Sequence, residues 1–525
     1  MNLPRMAAVL VLSLAVAGGA QAQYDVLIRG ARLLDGSGNP WRVASVAITG
    51  DRIAAVGLLP EATARRVIDG TGLYVAPGFI DTHSHAGGGL ASASLSHGRP
   101  LLAQGITTVV VNPDGGGPID LVAQRARLLE HGLGVNVAQL VPHGSIRREV
   151  VGMADRAPTV AELNRMKDLV GRGMEAGGFG LSSGLYYAPG SYSETEEVIA
   201  LAKVAARYSG VYQSHIRDEA DYNVGLVVAV DEVIRIAREA GLPGIVTHIK
   251  ALGPRVWGFS EALVRRIEGA RAAGVSVFAD QYPYEASGTS IGGALIPRWA
   301  QADGRQALRD RLRDPSERAR MREGVLENLD RRGGAGRLQI SRHAPDPAIE
   351  GKTLQAVAEE RSVHPADLTL QLLDAGGATL VSFNMEEADI RTLMRQPWTI
   401  TASDGGLTEM GRGVPHPRYY GTFPRKIRKY VRDEGVLSLA DAVRTMTSLP
   451  ASVFGMADRG VLREGAFADV VVFDLERVAD NATYSDPHQL ADGLVYLFVN
   501  GRLAIDEGEF EAALHGRVLR RQWKN

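Results

Sequence analysis

The stretch Gly78-Phe79-Ile80-Asp81-Thr82-His83-Ser84-His85 decides how the rest of the chain is interpreted. Its apolar start is typical of a short buried strand, and the strand ends in two histidines. Because side chains alternate along a strand, His83 and His85 point to the same side. Two imidazoles at the C-terminal end of a strand can hold a metal ion. A buried structural role is the alternative, and the paired spacing with the glycines that follow favours ligation.

The length and composition are those of an ordinary globular protein. The 525 residues are 45% hydrophobic and 22% charged, and a chain of this length usually forms two or more domains. The formal net charge is −2, so the sequence offers no strongly basic surface for nucleic acid. There is no Cys, so neither disulfides nor thiol lipidation is expected.

Residues 1–22 are predicted to be a secretory signal peptide. Arg5 supplies the positive start, residues 6–17 form the apolar core, and Ala20-Gln21-Ala22 is a cleavage site. The apolar run is short for a retained membrane anchor, and no other run is as long. The mature chain is therefore expected to begin near Gln23 without a stable membrane span, and to be secreted, into the periplasm if the source is bacterial.

Short apolar runs separated by turn residues occur at both ends of the chain. Near the N-terminus they are 26–28, 46–48 and 53–56, and near the C-terminus they are 468–473 and 494–501. These are strand patterns, and short edge strands need partners. We therefore expect residues 23–76 and 450–525 to form one small β-sandwich domain. Two separate β appendages are the alternative.

Strand patterns alternate with helical patterns through the middle of the chain, residues 77–449. The eight strand candidates are 79–82, 107–111, 135–141, 178–182, 211–214, 244–247, 275–279 and 399–402. Eight βα steps predict an α/β fold, a closed (β/α)8 TIM-like barrel.

A ninth strand-like run, 379–383, does not fit the barrel count. We assign it to an insertion at about 288–384, which also contains the charged helical segment 305–332. An insertion of this length is usually a small subdomain or an active-site lid. A helical excursion without a catalytic role is the alternative.

Ligand-type side chains follow several of these strands at the C-terminal ends, where barrel enzymes place their chemistry. They are His83 and His85 after the first strand, Asp114 after the second, His215 after the fifth, His248 after the sixth and Asp404 after the eighth. Imidazole and carboxylate without thiolate suit Zn²⁺, although Mn²⁺, Co²⁺ or Fe²⁺ could also bind. Asp114 lies in Asn-Pro-Asp-Gly, so a turn residue is its alternative role. For Asp404 the alternative is a helix cap.

The chain resembles the amidohydrolase superfamily, and within it the D-aminoacylase, or N-acyl-D-amino-acid deacylase, family. The resemblance is carried by GFIDTHSH (78–85), QGITTVVV (104–111), GLSSGLYYAPGSYSETEE (180–197), VYQSHIRDE (211–219), THIKALG (247–253), DQYPYEAS (280–287), TASDGG (401–406), HPRYYGTFPR (416–425) and NGRLAIDEGEF (500–510). These segments span nearly the whole mature chain. Their order is far more specific than the histidine pair alone.

The resemblance implies a zinc amidase in which His83, His85 and Asp404 form one metal site and His215 with His248 forms the other. The D-aminoacylases carry a Cys as bridging ligand after the second strand, and Asp114 stands at that place here. Residues 180–184 offer neither the carboxylated Lys nor the Glu of other amidohydrolases. A carboxylate is a harder ligand than a thiolate and has two oxygens to share, so Asp114 favours a site with two metal ions. Whether one or two ions bind stays open.

The expected chemistry is attack of metal-activated hydroxide on the acyl carbonyl. Asp404 would take the proton from the water and return it to the leaving amine. The carboxylate of an N-acyl amino acid needs cations or hydrogen-bond donors. The candidates for binding it are Lys250 and Tyr282, with Tyr187, Ser287, Arg418 and Arg217 as weaker ones. For Lys250, an external salt bridge is the alternative.

Three further residues are weaker candidates for the substrate pocket. His143 is a candidate for the mouth of the barrel, as is His416 in HPRYYGTFPR. Arg298, in the insertion, is a candidate for contact with an acidic substrate side chain.

The predicted function is metal-dependent hydrolysis of a linear amide bond in a small molecule, an N-acyl-D-amino acid or a related N-acyl or dipeptide substrate. The preference for the D configuration rests on the resemblance alone. A cyclic-amide hydrolase, similar to dihydroorotase or hydantoinase, is the enzymatic alternative. A non-catalytic barrel that binds a ligand is the third interpretation, and the intact ligand set argues against it because binding alone does not need Asp404.

Overall fold

Eight parallel strands form a closed barrel in the computed structural model, which describes residues 23–522. The strands are Phe79–Asp81, Ile106–Val111, Asn136–Gln139 continued by Val141–Pro142, Gly180–Gly184, Val211–His215, Gly244–Val246, Val277–Gln281 and Thr399–Thr401. The eighth strand meets the first through the short parallel pair of Ser84–His85 and Gly405–Gly406. The predicted α/β barrel is confirmed. The predicted signal peptide lies outside the described residues.

The barrel strands are buried on both faces because helices cover the outside. Every residue of Ile106–Val111 is buried, as parallel strands between two packed layers require. The covering helices are Gly87–Leu90, Arg99–Leu102, Leu121–Leu129, His143–Val150, Val160–Glu175, Thr195–Arg207, Leu226–Ala240, Ser260–Ala272, Glu387–Met394, Arg418–Arg425, the π-helix Lys426–Asp433, Leu439–Met446 and Ser448–Phe454. Among residues 23–522, no helix is long and apolar enough to cross a membrane.

Strands from the two ends of the chain pair in a second sheet, of nine strands. They are Tyr24–Leu33, Arg42–Thr49, Arg52–Gly57, Ala64–Asp69, Tyr74–Pro77, Val470–Phe473, Leu494–Val499, Arg502–Asp506 and Glu509–Phe510. On one face, Val470 and Val472 share a core with Ile28 and Val46 from the N-terminal strands, as in a sandwich. On the other face, Val471 packs into the cluster that covers the barrel.

The segment between the seventh and eighth barrel strands folds around its own core. It contains a three-stranded antiparallel sheet of Ser287–Ser290, Leu338–Arg342 and Thr379–Ser382, so the ninth strand-like run lies outside the barrel. Its helices are Ile291–Leu295, Gly304–Arg313, Pro315–Arg331, Leu354–Glu360 and Pro365–Asp374. Its 3₁₀ turns are Arg298–Gln301, Ala335–Arg337 and Pro347–Ile349, and a further 3₁₀ turn, Gly190–Tyr192, lies in the barrel. The sheet lies beside the C-terminal ends of the barrel strands and forms one side of a cavity at those ends.

Candidate active site

A cavity of about 650 Å³ opens where the barrel strands end. It lies between the loops that follow the barrel strands and the sheet of the insertion. Ligand-type side chains gather here in two overlapping groups, one of two His and two Asp and one of two His that shares an Asp with the first. We call the six residues the floor group: His83, His85, Asp114, His215, His248 and Asp404.

The first half of the floor group surrounds the histidine pair. Nε2 of His83 lies 3.4 Å from Oδ1 of Asp114 and 3.5 Å from Oδ1 of Asp404. Nε2 of His85 lies 3.4 Å from Oδ2 of Asp114 and 3.1 Å from Oδ1 of Asp404. Two imidazoles and two carboxylates therefore converge on one small volume, as they do around a bound divalent metal.

The second half lies on the other side of Asp114. Nδ1 of His215 is 3.9 Å, and Nε2 of His248 is 3.8 Å, from Oδ1 of Asp114. Asp114 thus presents Oδ1 to three histidines and Oδ2 to the fourth, which is the geometry that a bridging carboxylate needs.

Three of the six residues have unusual backbone angles. Asp114, His248 and Asp404 have φ values of 55°, 34° and 48°, in the left-handed region that residues other than glycine rarely adopt. Such conformations persist only where the surroundings impose them, and they concentrate at functional sites. The fold therefore accepts backbone strain in order to aim these side chains.

The strain at Asp404 is imposed by contacts with the first strand. Asp81 accepts hydrogen bonds from the backbone N–H of Ser403 at 2.8 Å and from its hydroxyl at 2.5 Å. The N–H of Asp404 donates to the carbonyl of His83 at 2.9 Å. The eighth strand end is therefore fastened to the histidine pair, although the two segments are far apart in sequence.

The protonation of the floor group fits a cation. Burial lowers the pKa of His215 to about 3, so the ring is neutral and one of its two nitrogens keeps a lone pair for a metal. Burial would raise the pKa of Asp404, but Arg418 and His83 hold it below the ordinary value. Burial opposes a charge on His83, yet Asp114 and Asp404 raise its pKa well above the ordinary value. The carboxylates thus draw positive charge to this spot, and a bound cation would supply it.

Unpaired atoms support the same conclusion. Both ring nitrogens of His83, both of His215 and Oδ1 of Asp114 are buried and have no hydrogen-bond partner. A buried polar atom without a partner costs about 1–3 kcal/mol, so this many at one place are explained by a ligand that they share. The donor set of nitrogens and carboxylate oxygens suits zinc.

Glu219 lies behind the second half of the floor group. Its Oε1 is 3.0 Å from Nδ1 of His248 and 2.5 Å from Nζ of Lys250. Burial would raise the pKa of Glu219, but Lys250 and the two histidines lower it, so the group is a carboxylate. Nζ of Lys250 also lies 2.7 Å from Nδ1 of His248, so the Lys250–Glu219 pair fixes the ring and leaves Nε2 facing Asp114.

Arg418 is the second buried cation beside the floor. Its Nη1 lies 2.9 Å from Oδ2 of Asp404, and its guanidinium lies 4.6 Å from the centre of the Tyr282 ring. The backbone N–H of Arg418 donates to Nδ1 of His416 at 3.0 Å, and Nε2 of His416 donates to the carbonyl of Ala286 at 2.8 Å. His416 therefore joins Arg418 to the loop that carries Tyr282.

Known proteins match this architecture over almost its whole length. The model of the amidohydrolase family matches residues 66–505. A D-aminoacylase of Alcaligenes xylosoxydans xylosoxydans is 34% identical, over 95% of this chain and 98% of its own. An N-acyl-D-glutamate deacylase of the same organism is 35% identical, over 95% and 97%. The crystal structure of N-acyl-D-glutamate deacylase from Bordetella bronchiseptica with zinc and a phosphonate inhibitor superposes with a TM-score of 0.82, at 34% identity, over 95% and 99% of the two chains.

The chain belongs to the D-aminoacylase family of the amidohydrolase superfamily. Similarity to a cyclic-amide hydrolase is more distant, since a dihydroorotase of Lactobacillus gasseri is 24% identical over 82% of the chain.

Four of the residues predicted to bind substrate in this D-aminoacylase-family chain line the cavity, each beside a polar or charged partner. The pairings are Lys250 with Glu219, Arg418 with Asp404, the Tyr187 hydroxyl with Thr289 at 3.0 Å, and Ser287 with Asn384 at 3.1 Å. The hydroxyl of Tyr282 differs, because it is buried at the cavity without a partner. Nε and Nη1 of Arg418 are also buried without a hydrogen-bond partner, so Tyr282 and Arg418 are the donors most in need of a ligand.

The side chains of three weaker candidates contact groups outside the floor group. Arg217 pairs with Glu232 at 2.7 Å. Nε2 of His143 lies 2.8 Å from Glu197 in a buried cluster behind the cavity lining. The guanidinium of Arg298 lies 4.0 Å from the centre of the Tyr186 ring and lines a separate cavity. The side chains of Arg217 and His143 are therefore held by carboxylates outside the floor group, and Arg298 lies against Tyr186.

Sequence reasoning missed two residues of this site. Glu219 stands in VYQSHIRDE, four residues after His215, and an acidic residue so close to a proposed ligand was a usable signal. Asp280 accepts from the N–H of His248 at 2.6 Å and lies 3.7 Å from Nδ1 of His83. Nothing in the spacing indicated that Asp280 would contact two separate strand ends.

Proposed function

We propose that this chain is a zinc-dependent deacylase that hydrolyses the acyl amide bond of N-acyl-D-amino acids. The observation that carries the proposal is the position of Asp114 between His83 and His85 on one side and His215 and His248 on the other. Relatives at 34–35% identity are named D-aminoacylase and N-acyl-D-glutamate deacylase, which supports the substrate class and the D configuration.

The floor group would hold one or two zinc ions. One site would take His83, His85 and Asp404, the other His215 and His248, with Asp114 shared between them. A bound zinc ion lowers the pKa of water and polarises a carbonyl. The relative solved with zinc supports this choice of metal.

Asp404 would serve as the base and then as the acid. Its low pKa keeps the carboxylate ionised at neutral pH, and Oδ1 faces the space beside His85 while Oδ2 faces Arg418. Oδ1 would accept a proton from the attacking water and return it to the departing amine nitrogen. Arg418 keeps Asp404 in the orientation that this transfer needs.

The α-carboxylate of the substrate would bind on the side of the cavity where Arg418, Tyr282 and Lys250 meet. The Tyr282 ring lies 4.6 Å from the Arg418 guanidinium and 5.7 Å from Nζ of Lys250. The unpaired Tyr282 hydroxyl would donate to one carboxylate oxygen, and the cations would provide charge-assisted bonds. Tyr187 and Ser287 would line the space next to it.

A substrate panel with the zinc-loaded protein tests the proposal. Matched N-acetyl-D- and N-acetyl-L-amino acids, a D-dipeptide and a hydantoin would be supplied, and release of the amine would be measured. We expect hydrolysis of the N-acetyl-D-amino acids and little turnover of the L forms or of hydantoin. Preferential opening of hydantoin would replace the proposal with a cyclic-amide hydrolase, and zinc binding without any hydrolysis would favour a ligand-binding barrel.

We also propose that the enzyme acts after export, in the periplasm if the source is bacterial. The signal-peptide pattern of residues 1–22 supports this. Fractionation of the native host, with N-terminal sequencing of the mature protein, is expected to recover a chain starting near Gln23 outside the cytoplasm. A cytoplasmic chain that retains residues 1–22 would overturn this part of the proposal.

A further inference from the structure

A second cavity lies between loops of the barrel and the insertion, separate from the cavity of the floor group. Its volume is about 440 Å³, within the range of about 300–1,000 Å³ that is usual for small-molecule sites. We call it the second cavity, and its lining includes Asp155, Ser191, Tyr192, Arg298, Trp299 and Arg331. It is therefore large enough for a ligand of its own.

Four charged side chains line the second cavity, and two of them pair with each other. Arg331 pairs with Glu327 and, at 3.3 Å, with Asp221. Among the residues that the structure describes, no carboxylate pairs with Arg298 and no cation pairs with Asp155. The second cavity therefore keeps one cation and one anion for a ligand.

The Arg298 side chain is held in place but keeps donors for a ligand. Its Nε donates to the carbonyl of Tyr186 at 2.8 Å, and its own carbonyl accepts from the Tyr192 hydroxyl at 3.0 Å. Its Nη2 is buried without a hydrogen-bond partner, as is Oγ of Ser191 in the same lining. Because a buried polar atom without a partner costs about 1–3 kcal/mol, a carboxylate that accepts from both groups would remove that cost.

We infer that the second cavity binds a free amino acid as a zwitterion. Arg298 and Ser191 would donate to its α-carboxylate, and Asp155, exposed at the rim, would accept from its α-ammonium group. The rings of Tyr192 and Trp299 suit an apolar side chain. The N-acyl substrate of the proposed function has no ammonium group, but the deacylated product has both charges. The inference therefore rests on the proposed function for the identity of the ligand, the product amino acid.

Calorimetric titration of the zinc-loaded full chain with D-leucine tests the inference. We expect Arg298→Gln either to bind one D-leucine fewer per chain than the unmodified protein or to bind it at least about tenfold more weakly, as the loss of a charge-assisted hydrogen bond predicts. Asp155→Asn should weaken binding at the same site. The control is Arg395→Gln, at an exposed position after the helix Glu387–Met394, which should leave binding unchanged.

Two analogues of D-leucine separate the contributions of the two charges. D-leucinamide lacks the carboxylate, and 4-methylpentanoate lacks the ammonium group. Each is expected to bind the second cavity more weakly than D-leucine, and Arg298→Gln should affect the titration of 4-methylpentanoate more than that of D-leucinamide. Equal binding of D-leucine and both analogues would overturn the assignment of a zwitterion.

The titration also distinguishes this inference from the proposed function, because it needs no turnover. The same stoichiometry and affinity for D-leucine in the unmodified protein and in Arg298→Gln would overturn the inference and leave the deacylase function standing. A protein that hydrolyses no N-acyl-D-amino acid but binds D-leucine through Arg298 would lose the proposed function and keep the site. If Arg298→Gln does not fold, Asp155→Asn at the exposed rim provides the same comparison.

Discussion

The floor group and one face of the insertion sheet enclose the same cavity but are built in different ways. We call the hydroxyl residues of that face the insertion wall: Ser287, Thr289, Ser290, Ser341 and Thr379. The floor group comes from five barrel strand ends and combines charge, burial and left-handed backbone angles at Asp114, His248 and Asp404. The insertion wall comes from one antiparallel sheet in ordinary strand geometry and offers neutral hydroxyls. The floor group therefore lowers the stability of the fold through backbone strain and buried charge, and the insertion wall does not.

The difference indicates a division of tasks. Strained, charged positions are retained where the reaction needs them, since each costs stability that neighbouring contacts must offset. A sheet of small residues outside the barrel can change without disturbing the floor group, so substrate choice can vary while the chemistry is kept. Substitutions in the floor group are therefore expected to affect turnover or metal binding, and those towards the insertion wall to affect substrate binding.

The largest expected effect is at Asp404. Asp404→Asn removes the proton acceptor but keeps the shape, so kcat for an N-acetyl-D-amino acid should fall about 10²- to 10⁴-fold, the usual contribution of a general acid–base group. Zinc content, measured by mass spectrometry, should be retained. The control is Asp374→Asn, at an exposed carboxylate far along the insertion. A fully active Asp404→Asn enzyme would remove Asp404 from the reaction.

Asp114 provides the next largest effect, on metal binding. Asp114→Asn keeps a residue that tolerates the left-handed angle of 55°, so the turn should survive while the charge shared by four histidines is lost. We expect zinc affinity, measured by competition with a chelator, to weaken at least about 100-fold. Unchanged affinity and zinc content would mean that Asp114 is a turn residue, the alternative that the sequence left open.

His416 lies where the floor group and the loop beside the insertion wall meet. His416→Ala removes the acceptor for the N–H of Arg418. If Arg418 then loses its position, KM for an N-acetyl-D-amino acid should rise roughly five- to tenfold, with a smaller change in kcat, as the loss of a cap-type hydrogen bond predicts. His416→Asn, which offers an oxygen acceptor, should recover part of the loss. A fall in kcat with unchanged KM would assign His416 to the floor instead.

Lys426 is a buried lysine outside the floor group. Its substitution is expected to have the smallest effect on turnover. Its Nζ donates to Thr401 at 2.8 Å and Thr445 at 3.0 Å, away from the cavity. Burial lowers the pKa of Lys426 from 10.5 to about 7. Between these values the unfolded chain binds more protons, so the free energy of unfolding should rise with pH, by at most about 1.4 kcal/mol per pH unit from this group.

Denaturant unfolding of the unmodified protein and of Lys426→Met, at pH 7, 8 and 9, measures this contribution. The stability of the unmodified protein relative to the variant should increase over this range. The variant should keep kcat within about twofold because the side chain does not reach the cavity. Parallel pH profiles would refute the buried-charge account, and loss of turnover would show that the floor extends behind the eighth strand.

Much of the barrel could be predicted because local patterns specify it. The eighth strand was expected at 399–402 and is found at Thr399–Thr401, and the seventh, expected at 275–279, is shifted to Val277–Gln281. The boundaries are less certain than the strands because turn residues do not fix where pairing stops. The domain boundaries at 76/77 and 449/450 stay predictions.

The contacts that support the site could not be predicted. Asp81 bonds to Ser403, and Asp280 contacts both His83 and the backbone of His248, so each links segments that only the closed barrel brings together. The periodicity of a strand says which face a residue occupies, but not which distant loop it meets. The pairing of Lys250 with Glu219 was missed for the same reason.

Anomalous diffraction at the zinc edge, from crystals of the zinc-loaded protein, tests the central claim most directly. The account predicts strong density beside Asp114, either on the side of His83, His85 and Asp404, on the side of His215 and His248, or on both. Zinc found only away from Asp114, or no ordered zinc in a protein that hydrolyses N-acyl-D-amino acids, would contradict it.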